Sequence, residues 1–225
     1  MREIVFDTET TGFDPLNGDR LVEIGCVEVI NYMPTGKTYH QYINPERDMP
    51  EGAEKIHGLS EVFLRDYPVF SQVYAEFVDF VGDATLVAHN AEFDMKFINA
   101  ELKKVGASLY AMSRSRDTLA MARRKFPGSP NTLDALCKRF AIDNSSRIKH
   151  GALLDAELLA EVYLELMGGR QRGLMLGQDQ KDQPEQAVVT EKKFRNPRPH
   201  QASAGEIEQH SAFVDQLTNP LWRRR

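Results

Sequence analysis

The chain has 225 residues and a formal net charge of −5, with 41% hydrophobic and 27% charged residues. That balance fits one globular domain of ordinary size plus a tail, and it excludes a chain disordered throughout. The start, MREIVFDTETTGFD, carries acids where a secretory signal needs an apolar core, and no run approaches the ~20 apolar residues that span a bilayer, so a cytoplasmic protein is expected.

Cys26 and Cys137 are the only cysteines, at no metal-ligand spacing, and read as small core residues. Charge is uneven: residues 1–169 hold 18 Lys and Arg against 26 Asp and Glu, whereas residues 170–225 hold 10 against 7. An acidic domain is poorly suited to gripping duplex phosphates by counterion release. It can still act on nucleic acid if its carboxylates hold cations that bridge to phosphate. Eight of the ten glutamines follow Gly169, so we expect a domain over 1–169, a flexible linker over 170–203 and a docking segment over 204–225.

In chain order, Glu3 to Asp7 is a short apolar strand, and Leu21 to Asn31 alternates as a longer one. Pro34-Thr35-Gly36 reads as a turn, and Lys37 to Ile43 returns as a third strand. Thr85 to Ala88 is a short buried strand leading into a helix from Ala91 to Val105, with Asn90 at the N-cap. Further helices are expected at Asp117 to Phe126, Thr132 to Phe140 and Ala152 to Met167. A meander followed by strand–helix units predicts an α/β fold, a mixed five-stranded sheet flanked by helices.

Three groups carry chemistry. Asp7 and Glu9 are two apart at a strand end, so their carboxylates share a face. His89-Asn90-Ala91-Glu92-Phe93-Asp94 follows a buried strand, with Asp94 in the first turn of the next helix. His150 precedes Asp155 by five, which puts the histidine in the loop before Gly151 and the acid one turn into a helix. Asp155 interrupts an apolar run, where a lone acid is costly without a cation. Phosphodiester hydrolysis needs an activated water and neutralisation of charge on phosphorus. Two divalent ions held by converging carboxylates supply both. Oxygen ligands at Asp7, Glu9, Asp94 and Asp155 suit Mg²⁺ or Mn²⁺. A neutral imidazole at His150 suits a general base.

The ordered set DTETTG, HNAEFD and H-x4-D resembles the DnaQ-like (DEDDh) 3′–5′ exonucleases on a ribonuclease-H-like fold, most of all the proofreading kind. IHGL from Ile56, RDTLAMARRKFPG from Arg116 and NTLDALCKRFAIDN from Asn131 extend the likeness over nearly all of residues 2–169. The resemblance implies that Asp7, Glu9 and Asp155 hold the cation carrying the attacking water, that Asp94 acts mostly through water, and that His150 is the general base. It implies a substrate surface of Asp7, Thr8, Glu9, Glu51, Ile56, His57, Phe93 and Asp155. Asp117-Thr118 reads as a helix cap and brace. The substrate implied is a single-stranded or frayed DNA 3′ end. The partners implied are the catalytic (alpha) subunit of DNA polymerase III, reached through Phe213, Leu217 and Trp222, and a small theta-type subunit. Gln171, Leu174 and Leu176 resemble a sliding-clamp-binding peptide. An RNA 3′-exonuclease of the ribonuclease T or oligoribonuclease kind shares the same five catalytic residues, and a non-catalytic scaffold on this fold is the other alternative.

Overall fold

The structure, a computed structural model, describes residues 1–147, 149–169 and 201–218. The chain divides into two compact units, Met1–Leu176 and Gly177–Arg225. In the first, strands β1 (Arg2–Thr10), β2 (Leu21–Ile30), β3 (Met33–Tyr42), β4 (Thr85–Ala88) and β5 (Ser115–Asp117) form one sheet in the order β3-β2-β1-β4-β5. β1 runs antiparallel to β2 and parallel to β4. It is therefore the strand at which the antiparallel meander gives way to the parallel half.

The expected turn at Pro34–Gly36 is not where the chain reverses. The reversal is at Asn31-Tyr32, with φ of 52° and 71°, between the paired residues Ile30 and Met33. Two positive φ values make the two-residue loop whose twist matches that of the flanking strands. Pro34 and Gly36 lie inside β3 instead. β3 is an edge strand, where a missing N–H is tolerated.

Side chains of β1 alternate between two cores. Ile4 and Phe6 pack with Phe70 and Phe77 of α3 (Phe70–Val81) and Phe97 of α4 (Ala91–Lys104). Val5 packs on the other face with Leu136 of α6 (Leu133–Phe140) and with Leu159 and Tyr163 of α7 (Ala152–Leu166). Cys26 and Cys137 are buried free thiols, one in each core. The helices α1 (Glu51–His57), α2 (Glu61–Leu64) and α3 were not legible as helices. α1 and α3 begin after Pro50 and Val69, without a side-chain cap from the first residue. At α3 it is the Gln72 side chain that accepts from the Val69 N–H, 3.2 Å away.

α5 (Thr118–Lys125) starts as expected at an Asp117 cap. Asp117 accepts from the N–H groups of both Leu119 (2.9 Å) and Asn90 (3.0 Å), bracing the β4–α4 turn against α5. Asn90 itself does not cap α4 with its side chain; it takes a left-handed φ of 75° at the helix start. In the second unit, α8 (Ala204–Asp215) opens with a reciprocal capping box between Ser203 and Glu206. None of the helices among the described residues is long and apolar enough to cross a membrane.

Candidate active site

The alternation along β1 divides the work of its last residues. Asp7 and Glu9 continue the Val5 row and face α7, while Thr8 continues the Phe6 row and faces α4. β4 pairs with β1 only through Val5, so the end of β1 projects beyond its parallel neighbour. A crevice at the carboxyl ends of parallel strands is where open α/β sheets place ligands. Asp94 arrives in the first turn of α4 and Asp155 in the first turn of α7. Gly25 faces Asp7 across the β1–β2 ladder. A Cβ on Gly25 would fall onto the backbone of Ala152 and Leu153. The bare backbone there lets the start of α7 lie directly on the sheet beside Asp7.

All four acids converge. Asp94 and Asp155 are 3% and 2% exposed. Burial pushes Asp7 well above the usual carboxylate range, and the charges of Asp94, Glu9 and Asp155 push it further. Burial, then Asp155, Glu23 and Asp94, push Glu9 up to about 8. Burial pushes Asp94 up to about 7, against a hydrogen bond of 2.7 Å donated by Thr8. One ligand atom each from Glu9, His150 and Asp155 lies within 4.8 Å of the others. Clustered, buried, mutually repelling carboxylates are what a divalent cation relieves, and the oxygen-rich set fits a hard ion.

The remaining expected residues fall into three groups. Thr8 is buried and its hydroxyl donates to Asp94, so it positions an acid of the cluster. Phe93 is half-buried against the core, with its ring centroid 5.0 Å from that of Phe97. Glu51 stands in solvent, ion-paired with Lys55. Ile56 is exposed, and its carbonyl accepts from the His150 N–H at 3.3 Å, which ties the histidine loop to α1. His57 is buried, not a solvated loop residue. Its Nδ1 accepts from the Leu59 N–H at 3.0 Å, and its ring is close enough to the Thr10 backbone for a hydrogen bond that opposes the effect of burial on its pKa. Burial lowers its pKa, so the ring is neutral with the proton on Nε2. Phe213 and Leu217 are exposed on and just beyond α8. Gln171, Leu174, Leu176 and Trp222 lie outside the described residues.

Arg147 and Glu23 carried no signal in the sequence, whereas His89 stands at the head of the HNAEFD group. Arg147 donates to Asp155 Oδ1 and Oδ2 at 2.5 and 2.7 Å and to both oxygens of Asp134 at 2.8 Å. Glu23 sits opposite Glu9 in the β1–β2 ladder and is bonded to His40 Nε2 at 2.7 Å. His89 Nδ1 lies 2.9 Å from Thr118 Oγ1, whose hydroxyl donates to the Ala88 carbonyl. Burial lowers the His89 pKa, against a backbone hydrogen bond to Asn131. His89 lines a cleft of about 780 Å³ together with Asp7, Arg123, Asn131, His150 and Asp155.

The raised carboxylates set a pH dependence. An acid whose folded pKa lies above its unfolded value binds more protons when folded, so stability falls as pH rises between the two values. For Glu9 and Asp94 that window opens in the ordinary carboxylate range and closes near 7 to 8. With chelator present, Tm is expected to fall across this window, and saturating Mg²⁺ should flatten the slope because the cation takes the place of the protons. Calorimetric scans at fixed ionic strength check this. A Tm that rose with pH in chelator would contradict the repulsion.

A family model described as Exonuclease (RNase_T) matches residues 4–163. A Rickettsia prowazekii (strain Madrid E) protein named DNA polymerase III subunit epsilon is 47% identical over 222 residues, covering 96% of this chain and 97% of its own length. The Escherichia coli (strain K12) protein of the same name is 40% identical over 237 residues, covering 99% and 97%. Among solved structures, exonuclease X in complex with 5′ overhanging duplex DNA is similar at a TM-score of 0.57 and 27% identity, over 74% of this chain and 90% of that one. With the carboxylates converging on one crevice and the match running through all of them, the chain belongs to the exonuclease family, beside relatives named DNA polymerase III subunit epsilon.

Proposed function

We propose that this 3′–5′ exonuclease shortens single-stranded or frayed DNA ends one nucleotide at a time, as the proofreading subunit of DNA polymerase III. The observation that carries the reading is the cluster of Asp7, Glu9, Asp94 and Asp155, whose buried charges need cations, with His150 at its rim. Asp7, Glu9 and Asp155 would hold two divalent ions, Mg²⁺ or Mn²⁺, with Asp94 acting from its side through water. Such ions supply Lewis acidity toward the phosphate and make a bound water nucleophilic near neutral pH. His150, 48% exposed and with Nδ1 3.4 Å from Asp155 Oδ2, would serve as the general base, with solvent contact through which to release its proton. His57, neutral and with Nδ1 engaged by the Leu59 N–H, offers its Nε2–H beside Ile56 as a donor for the terminal nucleotide.

Partners follow from the tail. Residues 204–225 would dock on the catalytic (alpha) subunit, with the exposed Phe213 and Leu217 in the contact, and a theta-type subunit would join the complex. Residues 171–176 would reach the sliding clamp. A chain cut at residue 200 should keep its nuclease activity and lose co-purification with the polymerase subunit. Retained co-purification would remove the docking assignment.

The deciding experiment compares matched DNA and RNA single strands, labelled at the 5′ end, with Mg²⁺ or Mn²⁺ present. Stepwise shortening of DNA that stops with chelator is the expected result. Strong preference for RNA would keep the enzyme class and replace the replication role with the ribonuclease T or oligoribonuclease alternative.

A further inference from the structure

Arg147 lies on the loop between α6 and α7, yet its side chain is only 8% exposed. A guanidinium has five N–H groups, and here each one has an acceptor. Nε and Nη2 take the two oxygens of Asp155. Nη1 takes the two oxygens of Asp134, itself 57% exposed. Nη2 also lies 2.9 Å from Nδ1 of His150. One side chain thus engages both oxygens of an acid in the cation cluster and a ring nitrogen of the expected general base.

We infer that Arg147 competes with the cation for Asp155, holding Asp155 and His150 in position until cation uptake drives the guanidinium back to Asp134. The inference rests on the reading of Glu9, Asp155 and their neighbours as a cation site. Its physical basis is twofold. A hard divalent ion coordinates through carboxylate lone pairs, and the fork of Arg147 directs an N–H at each oxygen of Asp155. A divalent charge and a guanidinium on the same carboxylate also repel strongly where solvent screening is weak. His150 adds a third point, because a ring nitrogen that accepts from Arg147 is not free to take a proton from water. Asp134 gives the guanidinium a place to stay, since that contact points to the exposed side and need not break.

Arg147 is therefore a positioning residue, and its removal should ease cation binding while weakening the unloaded protein. In full-length chain, Mn²⁺ titration followed by the electron paramagnetic resonance of free Mn²⁺ should show about tenfold tighter apparent binding in Arg147→Gln, the scale of a lost charge-assisted fork. The half-saturating Mn²⁺ for DNA 3′-end shortening should fall by a similar factor. Tm in chelator should drop in the variant, and the gap should close at saturating Mn²⁺. Arg147→Lys, which keeps the charge and loses the fork, should fall between. Unchanged or weaker Mn²⁺ binding by Arg147→Gln overturns the inference, leaving Arg147 a bystander or a support for the bound ion. If neither chain binds Mn²⁺, the cation reading fails and takes this inference with it. Should the variant not fold, the Nε–Hε resonance of Arg147 in the natural chain decides. It is expected to lose its hydrogen-bonded shift with the same midpoint as cation binding, and a resonance unmoved by Mg²⁺ overturns the proposal.

Discussion

Asp7→Asn is expected to stop 3′-end shortening while leaving the protein folded. Asp7 sits on the central strand, where burial and three neighbouring acids already push it toward the protonated form. The substitution keeps the side-chain volume and removes one of the charges that hold cations. Losing a group that positions the metal and its water should lower the rate on the order of a thousandfold or more, the scale set by removing one electrostatic element of a preorganised site. Stability should move the other way. A buried acid forced to ionise among like charges destabilises the fold above its unfolded pKa, so its neutral replacement should raise Tm in chelator at pH 8 and matter little at pH 4. A timed gel assay and thermal scans at both pH values make the check. Rates within tenfold of the natural chain would remove Asp7 from the machinery, and a lowered Tm at pH 8 would make it a structural residue instead.

Gly25→Ala is expected to cost both stability and activity through a single methyl group. The new Cβ would meet the backbone of Ala152 and Leu153, which cannot rotate away as a side chain could. The first turn of α7 must lift, and it carries Asp155, with His150 two residues before its start. Overpacking of this kind costs about 1–3 kcal/mol, and a shift of even 1 Å at a reacting centre can lower the rate on the order of 100-fold. Gly52→Ala makes the control, because a Cβ there meets open space on α1. Added Mg²⁺ should not restore the Tm of Gly25→Ala, which separates a displaced helix from unneutralised charge. A variant with full activity would show that α7 reaches the site without lying on the bare strand.

The same two positions show what the sequence made legible. Asp7 and Glu9 were readable because period-two alternation puts residues two apart on one face, and the interrupted apolar run of α7 marked Asp155 as buried and in need of a cation. Asp117 was readable as a cap because capping is local chemistry. Thr8 obeys the same alternation and so takes the α4 side, where its hydroxyl holds Asp94; no spacing in the sequence pairs it with an acid 86 residues away. The helices α1 and α3 escaped because Pro50 and Val69 replace the polar residues that usually announce a helix start, and α2, though capped by Ser60, is a single turn too short to show a period. Arg147 escaped for a different reason. Its loop has no period, and its partners Asp134 and Asp155 come together only once α6 and α7 pack side by side. The hairpin turn falls elsewhere because Pro and Gly are strong turn markers, yet on this edge strand Pro34 stays paired with Val29 and Gly36 lies at an irregularity of the ladder instead.

The central place of β1 has a bearing on how the protein is made. Asp7 and Glu9 are among the first residues synthesised, and the sheet around them begins with the local β1–β2 hairpin. Asp94 follows only after the meander, and His150 and Asp155 follow only when more than half the chain has been made. Domains fold as units once their partners have emerged, and non-local pairing comes late. A chain still under synthesis thus holds half of a nuclease and no cutting site. Completion of α7 over Gly25 is the step that arms it, so products that end before residue 150 would be harmless to nearby nucleic acid whatever cations surround them.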